Sequence, residues 1–272
     1  MSAMSHRWIV NGSVTVLLIL MAGLGGACRG SSRSAEAPPI ERSTTSPTYC
    51  VKVAVLADQT GSRNYTRTED LTTTALEPII ELLRGRCGEL LVGAIRDRSN
   101  QPFGRLAIPP GPPSPTPPAD GNVFDVLDAK AVYDQEMARY QSELPARSDL
   151  VEQRIQAFRQ EVTTLAKQPL AHRSAVWEAI SRADVALAEP EPPGRSSTGR
   201  RYIIAGSDVH DTTGAQARPL ASGATLVVAN GAGTLGSLAS VPGVKAFESL
   251  SAALLWVSET EGATPSAAER VR

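Results

Sequence analysis

The chain has 272 residues, with 27 Lys and Arg against 28 Asp and Glu and a formal net charge of −1. That balance gives no electrostatic reason to approach nucleic acid, so we expect no nucleic-acid partner. Aromatic residues make up 4% of the chain, which argues against a surface that stacks bases or sugars. Hydrophobic residues make up 42%, which supports a core built from aliphatic side chains.

Residues 1–28 have the pattern of an export signal. An apolar run covers residues 14–22, and small residues follow up to Cys28. Residues 24–28 (LGGAC) resemble a bacterial lipoprotein lipobox, a resemblance which implies that Cys28 is lipidated and becomes the new N-terminus. An uncleaved anchor and ordinary secretion are the alternatives. In each case we expect the mature chain in the bacterial cell envelope or outside it, with membrane contact only through an N-terminal anchor.

The next segment, residues 29–49, is rich in Ser, Thr, Pro and Ala and has no apolar periodicity. This composition is typical of a flexible tether, and a coil of this length spans about 25 Å. We predict one folded domain over residues 50–257 and a disordered tail over residues 258–272.

Strand and helix patterns alternate through the predicted domain. The predicted strands cover residues 50–57, 89–95, 101–108, 201–206, 223–229 and 244–247. The predicted helices cover residues 69–84, kinked or split at Pro78, and residues 174–187, 235–240 and 250–257. Apolar strands that alternate with helices predict an α/β fold, a doubly wound and mostly parallel sheet covered on both faces.

A long insertion interrupts this pattern: a Pro-rich loop over residues 109–122 and a charged helical region over residues 123–170. Apolar residues recur at heptad spacing on both sides of Pro145, namely Tyr133, Met137, Tyr140 and Leu144 before it and Val151, Ile155, Phe158, Val162 and Leu165 after it. Two arms joined at a proline predict an antiparallel, coiled-coil-like helical hairpin that adds a recognition surface and can be deleted without unfolding the domain. The alternative is two amphipathic helices that lie on the main core.

Two cysteines stand at comparable places in the chain. Cys50 opens the first strand, and Cys87 lies just before the next strand. If the two strands are parallel neighbours, both thiols lie at the same edge of the sheet, and in an exported chain we expect a disulfide between them. Two unpaired buried thiols are the alternative.

The functional information is expected just after the strands, because ligands of such sheets bind outside the carboxyl ends of strands where the strand order reverses. Residues 58–62 (DQTGS) follow the first strand, and Asp208 comes two residues after the strand that ends at residue 206. Ser174 begins a predicted helix, with Ala179 and Ile180 five and six positions later. Together these segments resemble the metal-ion-dependent adhesion site of the von Willebrand factor A (VWA) family, in which three loops supply such residues.

The resemblance covers residues 50–95 and 173–257 and implies a VWA-like fold and a divalent cation, Mg²⁺ or else Mn²⁺ or Ca²⁺. The ligands that it implies are Asp58, Thr60, Ser62, Ser174 and Asp208. Carboxylate and hydroxyl oxygens suit a hard cation, and with only two charged ligands the metal can still attract a carboxylate from a protein partner. The alternative is that Asp58 and Ser62 cap the following segment and that Asp208 begins a turn.

Residues 231–236 (GAGTLG) follow a strand and read as a dinucleotide fingerprint. However, Pro242 and Gly243 stop the following helix early, and the nearest acidic residue after a strand, Glu248, comes before the expected distance of about 20 residues. The chain has no Gly-Lys dipeptide, no H-E-x-x-H and no G-x-S-x-G, so we do not expect an enzyme. The sequence favours an envelope-tethered module that binds a protein through a metal. A dinucleotide-dependent enzyme, a metal-dependent hydrolase and a structural lipoprotein with a non-functional site are the alternatives.

Overall fold

The computed structural model describes residues 50–61, 71–98, 100–118, 123–189, 199–207, 216–229 and 235–262. All of them belong to the second of two units of the chain, Ser43–Arg272. The predicted signal segment with Cys28, the tether, Ser62, Asp208 and residues 231–234 lie outside the described residues. No helix in the described ranges is both long enough and apolar enough to cross a membrane.

The strands and helices follow one another in the chain order that the sequence predicts. The strands are β1 (Val51–Asp58), β2 (Gly88–Ile95), β3 (Gly104–Ile108), β4 (Arg201–Gly206), β5 (Thr225–Ala229) and β6 (Lys245–Phe247). The helices are α1 (Glu77–Gly85), α2 (Val123–Ala166), α3 (Val176–Ala188) and α4 (Leu250–Gly262), with a 3₁₀-helix over Gly236–Ser240.

The described strands form one six-stranded sheet in the order β3-β2-β1-β4-β5-β6. All neighbouring pairs are parallel except β2 and β3, which are antiparallel. The prediction of an α/β fold with a mostly parallel sheet is therefore confirmed. The strand order reverses between β1 and β4, since β1 leads through α1 to β2 on one side and β4 leads to β5 on the other.

Helices cover both faces of the sheet, as its apolar strands require, because every residue of β1 is buried. One apolar cluster joins the sheet to α1, α4 and the second half of α2, and the other joins it to α3 and the 3₁₀-helix. The central strand β1 contributes to both clusters, for example through Val53 on the first face and Leu56 on the second.

The helical hairpin is a wrong prediction, because α2 is a single helix of 44 residues with Pro145 inside it. A proline in a helix costs one hydrogen bond and about 3 kcal/mol, but it does not by itself create a turn. Residues 141–150 contain no Gly or Asn that would favour a left-handed backbone. The stripe also continues in phase across the proline, from Leu144 through Arg147 to Val151, so both halves suit one helix.

The two halves of α2 have different surroundings. Val151, Ile155, Phe158, Val162 and Leu165 are buried in the cluster that contains α1 and α4. Two ion pairs fasten this half to α1, from Arg84 to Glu152 at 2.8 Å and from Arg159 to Glu77 at 2.7 Å. In the first half Tyr133, Met137 and Tyr140 are half-buried, and Leu144 is 39% exposed. The expectation that the whole insertion can be deleted without unfolding the domain therefore conflicts with its burial.

Two helix boundaries differ most from the sequence prediction. Helix α1 begins at Glu77 with Pro78 in its first turn, a position where proline costs no hydrogen bond, so Pro78 starts this helix and does not kink it. Helix α4 continues to Gly262, so residues 258–262 are not part of a disordered tail. The physical reason is Glu261, which is buried and accepts a hydrogen bond of 2.5 Å from the Tyr202 hydroxyl.

The predicted disulfide between Cys50 and Cys87 is confirmed, with 4.7 Å between the two Cα atoms. The sheet register explains the pairing, because Val51 of β1 is opposite Gly88 of β2 and each cysteine immediately precedes one of these residues.

Candidate functional site

The candidate site lies at the carboxyl end of β1, at the reversal of strand order. Asp58 is the last residue of β1 and is 3% exposed, and Ser207, directly after β4, is fully buried. The Ser207 hydroxyl donates a hydrogen bond of 3.1 Å to Asp58 Oδ2. Because Ala57 and Gly206 are register partners in the parallel pair of strands, the residues that follow them emerge side by side.

The loop after β1 folds back on the same carboxylate. Thr60 donates two hydrogen bonds to Asp58 Oδ1, from its hydroxyl at 2.6 Å and from its backbone N–H at 2.9 Å. Such side-chain bonds to a backbone N–H two residues later are typical of Asp in turns. The segment that Asp58 and Ser62 would cap lies outside the described residues. Within the described residues Asp58 is held in one orientation by Thr60 and Ser207.

A second loop carries Ser174 to the same edge of the sheet. Ala171 forms a parallel bridge with Thr60, in which Gly61 N–H donates to Ala171 O at 3.0 Å and Ala171 N–H donates to Gln59 O at 2.8 Å. Ser174 follows three residues later and is 3% exposed. The loop that contains Ser174 is thereby fixed against the loop that contains Asp58 and Thr60.

Three of the five predicted ligands can be followed in the structure. Asp58, Thr60 and Ser174 are buried at the carboxyl edge of the sheet, whereas Ser62 and Asp208 lie outside the described residues. Ser207 was not among the predicted ligands, although its position directly before Asp208 is a usable signal. Arg96, whose Nη1 donates a hydrogen bond of 3.2 Å to Gln59 Oε1, was also not predicted, and its sequence signal is its position directly after β2.

The described side chains suit a hard cation. The donor set is one carboxylate and the hydroxyls of Thr60, Ser174 and Ser207, all oxygen and all at most 3% exposed. Oxygen ligands of this kind are those that Mg²⁺ takes in proteins, usually together with retained water. Within the described ranges no three His, Cys, Asp or Glu residues are grouped as a metal site, and Asp58 is the one predicted carboxylate ligand among those ranges.

The geometry after β5 gives little support to the dinucleotide alternative. The described part of that motif ends in Gly236, which has a φ of 49° and opens a 3₁₀-helix of only five residues. The phosphate of a bound dinucleotide requires the N-terminus of a regular helix, and this short segment does not offer one.

The chain was also compared with known proteins. It matches no protein-family model, and no curated protein matches it either.

Proposed function

We propose that the chain is an envelope-tethered, VWA-like module that binds a protein partner through a divalent cation. The cation is held by Asp58, Thr60, Ser62, Ser174 and Asp208, with Mg²⁺ as the first candidate. The observation that carries the proposal is that three chain segments meet at the carboxyl ends of β1 and β4. Thr60 and Ser207 both donate to the buried carboxylate of Asp58, and the loop of Ser174 is bridged to Thr60 through Ala171.

The sheet supports a VWA-like arrangement. The reversal of strand order between β1 and β4 creates the crevice in which doubly wound sheets bind ligands. Asp58 and Ser207 lie at the ends of these two strands, and the bridge between Thr60 and Ala171 brings the loop of Ser174 to the same place. The antiparallel strand β3 closes the far edge and leaves this crevice unchanged.

The chemistry follows from the charge of the donors. Bound Mg²⁺ would supply electrostatic attraction for a carboxylate of the partner protein. Asp58 and Asp208 carry the only negative charges of the proposed set, while Thr60, Ser62 and Ser174 contribute neutral hydroxyls. Two carboxylates do not exceed the charge of one divalent cation, so the site carries no net negative charge that would repel a third carboxylate from the partner. Neutral hydroxyl ligands also leave the cation able to attract that carboxylate. The lipid-modified Cys28 and the tether over residues 29–49 would hold this module at the membrane of the cell envelope.

The test compares two buried aspartates in the mature chain. Asp58→Asn keeps the shape and the Oδ1 acceptor but removes the charge. Asp184→Asn is the matched control, since Asp184 is 7% exposed and accepts bonds from the backbone N–H of Ala221 and Ser222. We expect Mg²⁺ to raise the melting temperature of the wild type and of Asp184→Asn but not of Asp58→Asn. A wild type that shows neither a Mg²⁺-dependent melting shift nor heat on titration with Mg²⁺ contradicts the proposal.

A further inference from the structure

Gln59 stands between two proposed ligands, yet its side chain contacts a different part of the molecule. It is 3% exposed, and its Nε2 donates a hydrogen bond of 2.8 Å to the carbonyl of Leu165 in the last turn of α2. Its Oε1 accepts a hydrogen bond of 3.2 Å from Arg96 Nη1. Gln59 therefore joins the Asp58–Thr60 loop to α2 and to the segment after β2.

Arg96, which follows β2, contacts the chain just beyond the end of α2 as well as Gln59. Its guanidinium donates to Gln168 Oε1 at 3.1 Å and to the carbonyl of Pro169 at 2.8 Å, just beyond the end of α2. Its own backbone carbonyl accepts a hydrogen bond of 2.8 Å from Ala175 N–H, next to Ser174. One arginine thus contacts the first loop, the chain that leads out of α2 and the second loop.

We propose that Gln59 and Arg96 are positioning residues, which hold the Ser174 loop in register with the Asp58–Thr60 loop before any cation binds. Asp58 and Ser174 are far apart in sequence, and the Thr60–Ala171 bridge joins their loops through backbone bonds. Without the bonds of Gln59 and Arg96, the cation would have to complete the ordering of both loops as it binds. Ordering a loop at the moment of binding lowers affinity, and a preformed site avoids that loss. The proposal rests on the proposed function for its consequence in metal affinity, but the ordering of the loops can be measured without metal.

Arg96 is a cationic residue close to a proposed cation site, so the kind of acceptor that its guanidinium contacts matters for its role. Three acceptors of its guanidinium, on Gln59, Gln168 and Pro169, are neutral oxygens. The planar fork of an arginine can satisfy several such acceptors at once, whereas a lysine ammonium is a point charge on a flexible stem. A role that depends on the fork therefore differs from a role that depends on charge alone.

The experiment uses the mature chain with Gln59→Met, Arg96→Met and Arg96→Lys. Arg105→Met is the control, an arginine of β3 that pairs with Glu89 and Glu189 away from the site. Amide hydrogen exchange in EDTA reports on Gly61 and Ala175, whose N–H groups donate to Ala171 O and Arg96 O. We expect exchange at both amides to accelerate at least about tenfold in all three site variants and to stay unchanged in Arg105→Met. Removing groups that orient metal ligands typically costs 10–100-fold in metal affinity, and we expect Mg²⁺ affinity to fall in that range.

Each outcome has a defined meaning. Unchanged exchange at Gly61 and Ala175 overturns the positioning role, and faster exchange with unchanged Mg²⁺ affinity overturns its link to the site. Wild-type behaviour of Arg96→Lys would show that a positive charge alone is sufficient. It would contradict the proposal that the planar guanidinium of Arg96 is required. If Arg96→Met does not fold, Gln168→Met removes one bond of the same network and must accelerate the same two amides to a smaller extent. A wild type without any Mg²⁺ response counts against the proposed function, while the exchange result still decides whether Gln59 and Arg96 order the loops.

Discussion

The Ser207 hydroxyl donates a hydrogen bond of 3.1 Å to Asp58 Oδ2 and so joins two residues that are 149 positions apart in the chain. The bond exists because β1 and β4 are parallel neighbours, although α1, β2, β3, α2 and α3 lie between them in sequence. This buried polar contact lies at the point where the strand order reverses.

The first prediction concerns this contact. Ser207→Ala removes the donor and leaves a buried carboxylate oxygen with one bond fewer, so the free energy of unfolding should fall by about 1–3 kcal/mol. Urea denaturation in EDTA measures the change. Ser240→Ala is the control, because Ser240 donates to Ser237 O in an exposed position and its loss should cost less than about 0.5 kcal/mol. Equal stability of the two variants would show that the bond to Asp58 does not stabilise the fold.

The disulfide gives the second prediction. Cys50 and Cys87 are separated by 37 residues, and closing a loop of that length stabilises by about 4 kcal/mol in the chain-entropy model. The double variant Cys50→Ser with Cys87→Ser should lose about that amount in denaturant unfolding. Thiol titration of the denatured, unreduced protein should find no reactive thiol from these two cysteines, and two such thiols would rule out the bond.

The two halves of α2 should respond differently to truncation. Phe158→Ala empties a buried position in the main cluster and should cost about 3–5 kcal/mol. Tyr140→Ala lies in the first half, where the side chain is only half-buried, and should cost less than about 1 kcal/mol. Denaturant unfolding compares the two. A large loss for Tyr140→Ala would indicate that the first half of α2 also belongs to the core.

The raised pKa of the Tyr202 hydroxyl leads us to expect a loss of stability at high pH. Burial raises the pKa of Tyr202 to about 12, and the hydrogen bond to Glu261 acts in the same direction. Because the folded state favours the protonated form, this contribution is complete below pH 10, near the pKa of an exposed tyrosine, and is lost as the pH rises through about 12. Absorbance titration should show one tyrosine that ionises late, and Tyr202→Phe should remove that late component. A midpoint near 10 for every tyrosine would contradict the raised pKa.

Most of the sheet could be predicted from the sequence, because fully buried parallel strands read as apolar, β-branched runs. The first and last residues of β4 agree with the prediction. The disulfide could be predicted because the two cysteines stand at equivalent positions, each directly before a strand. Proline was the misleading signal. Pro145 lies inside a helix that tertiary packing maintains, and Pro78 starts a helix, so neither residue breaks one.

The candidate site was predictable only where its residues are adjacent in sequence to strand ends. Asp58 and Thr60 could be found in this way, since both belong to one short motif directly after β1. The roles of Gln59 and Arg96 could not, because each depends on contacts with the end of α2 that no local pattern encodes. A glutamine in a loop and an arginine after a strand give no local signal of these contacts, which form only in the tertiary structure.

The most direct test of the proposed metal site is a titration with Mn²⁺ followed by NMR. Bound Mn²⁺ broadens the amide signals of nearby residues, so it reports where the cation lies as well as whether it binds. We expect selective broadening of residues 58–61, 171–175 and 207 in the wild type, reversal by excess Mg²⁺, and no selective broadening in Asp58→Asn. Broadening centred elsewhere, or equal in the wild type and Asp58→Asn, would contradict a cation site at Asp58.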